Sequence, residues 1–284
     1  MPNEGKGSPG RLPRNFHKTF KPERQYIHAM LRFAASGKEG DSQSISAATG
    51  IPTGTSSGKV PAILDYSRGM GLVRLAGQGR SAVKKPELTA LGRAAMLEDP
   101  YLKLPVTQWI AHLNLCGPLT GADVWYQTFF PGTQALGMRF DRTKLESHLA
   151  RIYGTEKSGL IGPLVGMYDD DAAFRLCGAL SETDGTILRK SAPIADEFAF
   201  AYGAWILQLL SDHFPRAGQV SVTELDSQAG WRTIPGWDTG ALQRVLDMVE
   251  RRGLVEVDRH MDPWLLRPAA STDSAWRRMY DDLM

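Results

Sequence analysis

Apolar residues recur at helical spacing near the start of the chain. Tyr26, Ile27, Met30, Leu31, Phe33 and Ala34 form a stripe that predicts a helix over 22–36, with Pro22 suited to its first turn. A short helix follows over 44–49, opened by a hydroxyl cap and closed by Gly50-Ile51-Pro52. Residues 53–57 read as a turn. Val60, Ile63, Leu64 and Tyr66 then place a third helix from 57 or 58 to 69, with Pro61 tolerated only in its first turn. A strand over 72–75, a Gly- and Lys-rich loop over 76–85 and a resumption at Glu87-Leu88-Thr89 complete the pattern. A further helix begins at Ala90.

The middle of the chain reads as helical. Val106, Trp109, Ile110 and Leu113 mark a buried helix face over 105–115. Helices are predicted over 123–130 and 143–153, and residues 158–178 are Gly-rich and ambiguous. A long apolar helix covers 193–214. Beyond it come a short helix over 221–229, with Thr223 as a plausible cap, and a longer one over 238–252. The inward stripe of that helix is Leu242, Val245, Leu246 and Val249. A ribbon over 254–257 and 263–267 follows. The tail, 271–284, is a short helix carrying Trp276, Met279 and Leu283, to be packed on the body or on another subunit.

One motif occurs twice. Residues 64–73 read L-D-Y-S-R-G-M-G-L-V and residues 246–255 read L-D-M-V-E-R-R-G-L-V. Both place Leu-Asp seven residues ahead of Gly-Leu-Val. Gly71 and Gly253 can adopt the left-handed conformation that ends a helix. Each copy thus reads as helix, glycine stop and first ribbon strand. With the short helix before it, each is predicted to be a winged helix-turn-helix, a unit that docks a helix in a DNA groove.

The expected fold is mainly α with small β-ribbons, two winged helix-turn-helix units around a helical middle region. The expected division is a disordered basic tail (1–15), an N-terminal winged helix (16–98), a helical middle domain (99–195), a C-terminal winged-helix-like domain (196–270) and a C-terminal helix (271–284).

Composition narrows the class. The 284 residues are 42% hydrophobic and 23% charged, as in ordinary globular proteins. No run of about 18 apolar residues predicts a membrane span, and no apolar signal core opens the chain, so a cytoplasmic location is expected. Cys116 and Cys177 stand far apart without a Cys-x-x-Cys or Cys/His cluster, so no zinc site is expected. No nucleotide-binding motif is present either.

Charge is uneven. Residues 1–24 hold six Lys/Arg against two Glu, and residues 58–93 hold seven against two acids. Residues 163–197 hold three basic and seven acidic groups. The basic block coincides with the first predicted winged helix, as phosphate binding requires. A solvated basic face is the alternative.

Candidate DNA contacts in the first copy are Lys59, Arg68, Arg74, Arg80, Lys84 and Lys85, which could neutralise phosphates or read guanine edges. In the second copy they are Arg244, Arg251 and Arg252. There Asp247 and Glu250 interleave, which equally suits ion pairs along an exposed helix and a dimer or partner contact. For phosphodiester hydrolysis, Asp169, Asp170 and Asp171 are the only dense carboxylate cluster, with Glu182, Asp184 and Lys190 following. They are candidates for Mg2+ or Mn2+, or a solvated turn. His17 is a candidate general base or phosphate contact, or an anchor of the first helix. His112 reads as a core histidine, and Phe200, Tyr202 and Trp205 read as core aromatics.

Several segments resemble the bacterial DUF4007 family. They are His17-Lys18-Thr19-Phe20 followed by Arg24, then Leu88-Thr89-x-Leu-Gly92. The strongest is Asp99-Pro100-Tyr101-Leu102 with Thr107-Gln108-Trp109-Ile110-Ala111-His112-Leu113. The similarity covers at least residues 16–166, with one extra residue between Phe20 and Arg24. The resemblance implies a place in DNA phosphorothioation systems, beside a cysteine desulfurase, an ATPase and an ATP-pyrophosphatase-like protein. In the single-strand version of these systems the related component is thought to nick DNA.

The expectation is therefore a protein that binds double-stranded DNA in a phosphorothioation-type modification or defence system. Its leading mechanism is metal-dependent nicking of one strand. The alternatives are a non-catalytic DNA-binding adaptor and a transcriptional regulator. A homodimer fits the second copy, and no membrane partner is expected.

Overall fold

The computed structural model describes residues 10–54, 58–77, 82–154, 158–260 and 262–283. The chain divides into two compact units, residues 1–190 and 191–284. Both are mainly helical with small antiparallel sheets. Among the described residues no helix is long and apolar enough to cross a membrane.

Unit 1 begins with α1 (Arg24–Ala35), α2 (Ser42–Thr49) and α3 (Lys59–Gly69). The strands β1 (Val73–Leu75) and β2 (Pro86–Leu88) pair antiparallel. Asp41, not a hydroxyl residue, caps α2 by accepting from Ser44 N, and Gly50 closes it at φ 73°. At the end of α3, Gly71 sits at φ 73° and Leu72 N donates to Ser67 O. Gly40 and Lys84 exchange backbone hydrogen bonds, which brings the chain entering α2 beside the ribbon.

Thr89 caps α4 (Ala90–Glu98) through Gly92 N and donates its hydroxyl to Gly71 O. Gly92 is required because a Cβ there would lie 1.9 Å from Leu72 O. That contact accounts for the Leu-Thr-x-Leu-Gly segment in structural terms.

The centre of unit 1 is α5 (Pro105–Leu115), buried from Val106 through Leu113. Its buried Gln108 donates to Leu102 O and accepts from Cys177 N, tying two loops to the helix. His112 shares a hydrogen bond with the Tyr168 hydroxyl, which also accepts from Trp125 Nε1. Around it lie α6 (Asp123–Phe129), α7 (Gly132–Leu136), β3 (Arg139–Asp141), α8 (Arg142–Tyr153), α9 (Ile161–Gly166), β4 (Leu180–Thr183) and β5 (Thr186–Arg189).

The middle region is thus not wholly helical: β3, β5 and β4 form a three-stranded antiparallel sheet in that order. Its strands are three or four residues long, too short for alternation to stand out. The β4–β5 hairpin closes through Asp184 and Gly185, both at positive φ (49° and 74°), as a two-residue loop requires.

Residues 10–15 depart from the expected disordered tail. Leu12 is buried, donates to Gly121 O and accepts from Asp123 N. Arg11 pairs with Asp123 at 3.0 Å and lies over the Tyr126 ring. The Tyr153 hydroxyl donates to the same carboxylate.

Unit 2 repeats the order of the start of unit 1. It contains α10 (Ala199–His213), β6 (Val220–Ser221), α11 (Val222–Ala229), α12 (Thr239–Arg251), β7 (Val255–Asp258) and β8 (Leu265–Pro268). The sheet order is β6-β8-β7. Gly253 stands at φ 69° and Leu254 N donates to Val249 O, the geometry of the first copy. Ser221, rather than Thr223, caps α11. The tail helix α13 (Thr272–Arg277) packs on α10, with Trp276 and Met279 buried and Trp276 Nε1 donating to Gln208. The apolar side chains described in the tail are therefore spent inside its own unit, apart from the exposed Leu283.

Candidate nucleic-acid interface

Unit 1 holds a groove of about 630 Å³ between α2, one edge of α3 and the ribbon. Pro61, Asp65 and Arg68 recur at i, i+4 and i+7 along α3, so they share the edge that lines it. Lys18 and Lys84 complete its charged lining with Asp41, whose carboxylate is held by the N-terminus of α2.

Burial raises the Asp65 pKa, against the pull of Arg68 and, more weakly, of Lys84 and Lys18. Three cations therefore line the groove against two carboxylates, Asp65 and Asp41, which leaves it an excess of one positive charge. Lys18 is held at φ 46°, in the tight turn that carries His17 and Thr19.

The α3 helix itself is not a free reading surface. None of its residues is exposed, and Val60, Ala62, Ile63, Leu64, Tyr66, Ser67 and Gly69 are buried. The expectation that this helix presents Lys59 to DNA is corrected accordingly, while Arg68 stays on the groove edge. Lys59 turns inward, its Nζ 2.6 Å from Glu23 Oε1 and 4.5 Å from the Tyr26 ring centroid. Arg68 pairs with Asp65 at 2.8 Å.

On the ribbon, Arg74 pairs across the strands with Glu87 at 3.1 Å and is largely exposed. Lys85 is exposed. Arg80 lies outside the described residues. Of the five expected cations that are described, Arg68 and Lys84 line the groove, and Lys18 joins them.

The second copy does present a helix face. Gln243, Arg244, Asp247 and Arg251 of α12 are exposed on one side. Arg259 from the ribbon reaches Asp247 at 2.6 Å and Glu250 at 2.7 Å. Arg251 stands 3.6 Å from Asp196, and Arg252 pairs with Asp282 at 3.0 Å. Among the described residues Arg244 has no carboxylate partner. The face is close to neutral.

The acidic triplet does not assemble a cluster. It lies in turns after α9, not on a strand. Asp169 is exposed. Asp170 accepts from Ala172 N and pairs with Lys21, which holds its pKa below the usual carboxylate range. Asp171 pairs with Arg175 at 3.0 Å. Glu182 is held by Arg142, and Asp184 occupies the hairpin turn. Lys190 is exposed. Among the described residues no three His, Cys, Asp or Glu side chains stand close enough to hold a metal ion. These carboxylates, as placed, do not fit a magnesium or manganese site.

His17 is interior. It is 2% exposed, packed edge-on against Phe16 and Trp125. Its Nδ1 accepts from Thr19 N at 3.0 Å, and burial lowers its pKa to about 4, with a smaller opposing contribution from the Arg14 carbonyl. The geometry is that of an anchor for the Lys18 turn, out of reach of a bound backbone. His112 is likewise buried, its pKa lowered to about 3 by burial and by Arg189. Phe200, Tyr202 and Trp205 are core residues of α10.

No protein-family model matches the chain, and no curated protein matches it. Two solved structures do. A magnesium ion-bound crystal structure of SspB matches with a TM-score of 0.70 and 16% identity, over 98% of this chain and 90% of that one. A second SspB crystal structure matches with a TM-score of 0.67 and 17% identity, over 96% and 88%. At such identities the likeness is one of architecture, and along nearly its whole length this chain has an SspB-like fold.

Proposed function

We propose that this protein is a DNA-binding component of a phosphorothioation-type modification or defence system, with two winged helix-turn-helix units. The observation that carries the reading is the groove of unit 1, where Lys18, Arg68 and Lys84 line one surface with Asp41 and Asp65 and leave it an excess of one positive charge. Such a cation excess, rimmed by the exposed Arg74 and Lys85, suits duplex phosphates. The SspB-like fold and the resemblance of several segments to the DUF4007 family support that biological setting. A cysteine desulfurase, an ATPase and an ATP-pyrophosphatase-like protein are the partners of that setting.

Because α3 is sunk into the unit, the duplex lies across the groove rim and ribbon rather than receiving α3 in its major groove. The near-neutral face of α12 suits a protein partner or a second copy of the chain. Duplex binding measured across a salt series tests the reading. Affinity should fall steeply with salt in the wild type, and salt-independent binding would remove it.

Strand nicking is the second reading, favoured by the magnesium ion in one structural neighbour. Asp169, Asp170 and Asp171 do not supply its metal site as they stand, and His17 is not placed to act as a base. Supercoiled plasmid incubated with magnesium or manganese separates the readings. Open circles support nicking, and intact supercoils support the non-catalytic adaptor.

A further inference from the structure

Outside the groove, the outer side of α1 carries a second set of cations. Arg24, His28 and Arg32 follow one another at four-residue steps, about 6 Å apart along the helix, so they share a face. Arg32 also lines a hollow of about 200 Å³ with Ala29, Phe33, Ser36 and Lys38. Among the described residues no carboxylate pairs with Arg24, Arg32 or Lys103. Arg24 is held instead by two carbonyls, Tyr101 O at 3.3 Å and Asp171 O at 2.6 Å.

Beside this face stands Tyr101, 48% exposed. Among the described residues it is the one exposed Phe, Tyr or Trp. Its exposure is built in. Asp99 is buried and spends both carboxylate oxygens on backbone donors, Lys103 N at 2.7 Å and Leu104 N at 2.9 Å. The turn this makes forces Leu102 to φ 51°, with its side chain fully buried, and leaves Tyr101 outside.

The Tyr101 ring stacks on His28, centroids 4.0 Å apart and planes inclined by 30°. His28 Nδ1 is in turn fixed by Pro100 O at 2.9 Å. Lys103 Nζ lies 5.7 Å from the Tyr101 ring centroid. A rigid exposed ring beside cations lacking carboxylate partners is the chemistry of single-strand recognition: stacking for a base, charge for its phosphates.

We propose that Tyr101, stacked on His28 and flanked by Arg24, Arg32 and Lys103, is a landing platform for an unpaired nucleotide of DNA. It deepens the DNA-binding reading and rests on it. The base lies on the tyrosine ring, and the neighbouring phosphates meet the cations. An acidic peptide would use the cations but would gain little from the ring.

The test uses the full chain and three ligands: a duplex, the same duplex with one bulged 2-aminopurine, and a single strand containing 2-aminopurine. In the wild type and in Tyr101→Phe, binding should quench 2-aminopurine fluorescence. Tyr101→Ala should abolish the quenching and weaken binding of the bulged and single-stranded ligands by roughly 5- to 150-fold, leaving duplex affinity as in the wild type. Wild-type quenching in Tyr101→Ala would overturn the platform while leaving duplex binding intact. Equal losses on all three ligands, or preference for a polyglutamate peptide over the bulged duplex, would overturn it as well. No binding to any DNA would overturn the DNA reading and the platform together.

Discussion

His17 and His112 are both held neutral by the interior of unit 1, with pKa values of about 4 and about 3 against an ordinary 6.5. An unfolded chain protonates both near pH 6.5, while the folded chain resists. Their full contribution to stability is present above pH 6.5 and is lost as pH falls toward 4 and then 3. Each group costs at most about 1.4 kcal/mol per pH unit in that window. Thermal unfolding of unit 1 should shift to lower temperature between pH 6.5 and 4. His17→Gln should flatten part of that slope, and an unchanged slope would show that His17 does not titrate this way. Lys59 makes a comparable case. Its ion pair with Glu23 is partly buried and backed by Tyr26, so Lys59→Ala should cost about 1–3 kcal/mol in denaturant unfolding. The salt dependence of DNA binding should stay as it was, because Lys59 does not face the groove. A flatter salt slope in Lys59→Ala would return this residue to the interface.

At the level of elements, the duplicated Leu-Asp…Gly-Leu-Val motif was legible because a glycine stop followed by a strand is a local signal. Both copies end their helix at positive φ. The prediction is asymmetric. A Cβ at Gly71 would meet Asn114 Nδ2 at 2.8 Å, whereas one at Gly253 meets nothing within 4 Å. Gly253→Ala should therefore cost about 1 kcal/mol from backbone strain alone, and Gly71→Ala should cost more. Equal losses would mean that the Asn114 side chain yields freely. Of the β3-β5-β4 sheet only the Asp184-Gly185 turn is legible in the sequence, because the flanking strands are too short to alternate visibly. Charge counting located the basic block at 58–93 but could not say which cations face outward. Lys59 carries the same charge as Lys84, and only packing against Glu23 and Tyr26 separates their roles. The place of Lys18 is not legible in the sequence because it depends on a turn that His17 anchors. The tail offers an element-scale test of its own. With Trp276 and Met279 buried against α10, deleting residues 271–284 should unfold unit 2 rather than release a partner. A folded, cooperative unit 2 after that deletion would show the tail to be dispensable.

Across the whole molecule, the same order of helices and ribbon occurs twice with opposite exposure. The first copy buries α3 and keeps a cation-lined groove, while the second presents α12 with its charges largely paired. On the proposed function, unit 1 engages DNA and unit 2 a protein partner. That the groove of unit 1 holds duplex phosphates is the heart of the proposed function. Its most direct test is the slope of log affinity against log salt, for the wild type and for a variant carrying Lys18→Gln, Lys84→Gln and Lys85→Gln. Loss of three phosphate contacts should weaken binding and flatten the slope by up to about 2.7, at roughly 0.9 for each. A folded triple variant with the wild-type affinity and slope would contradict the claim.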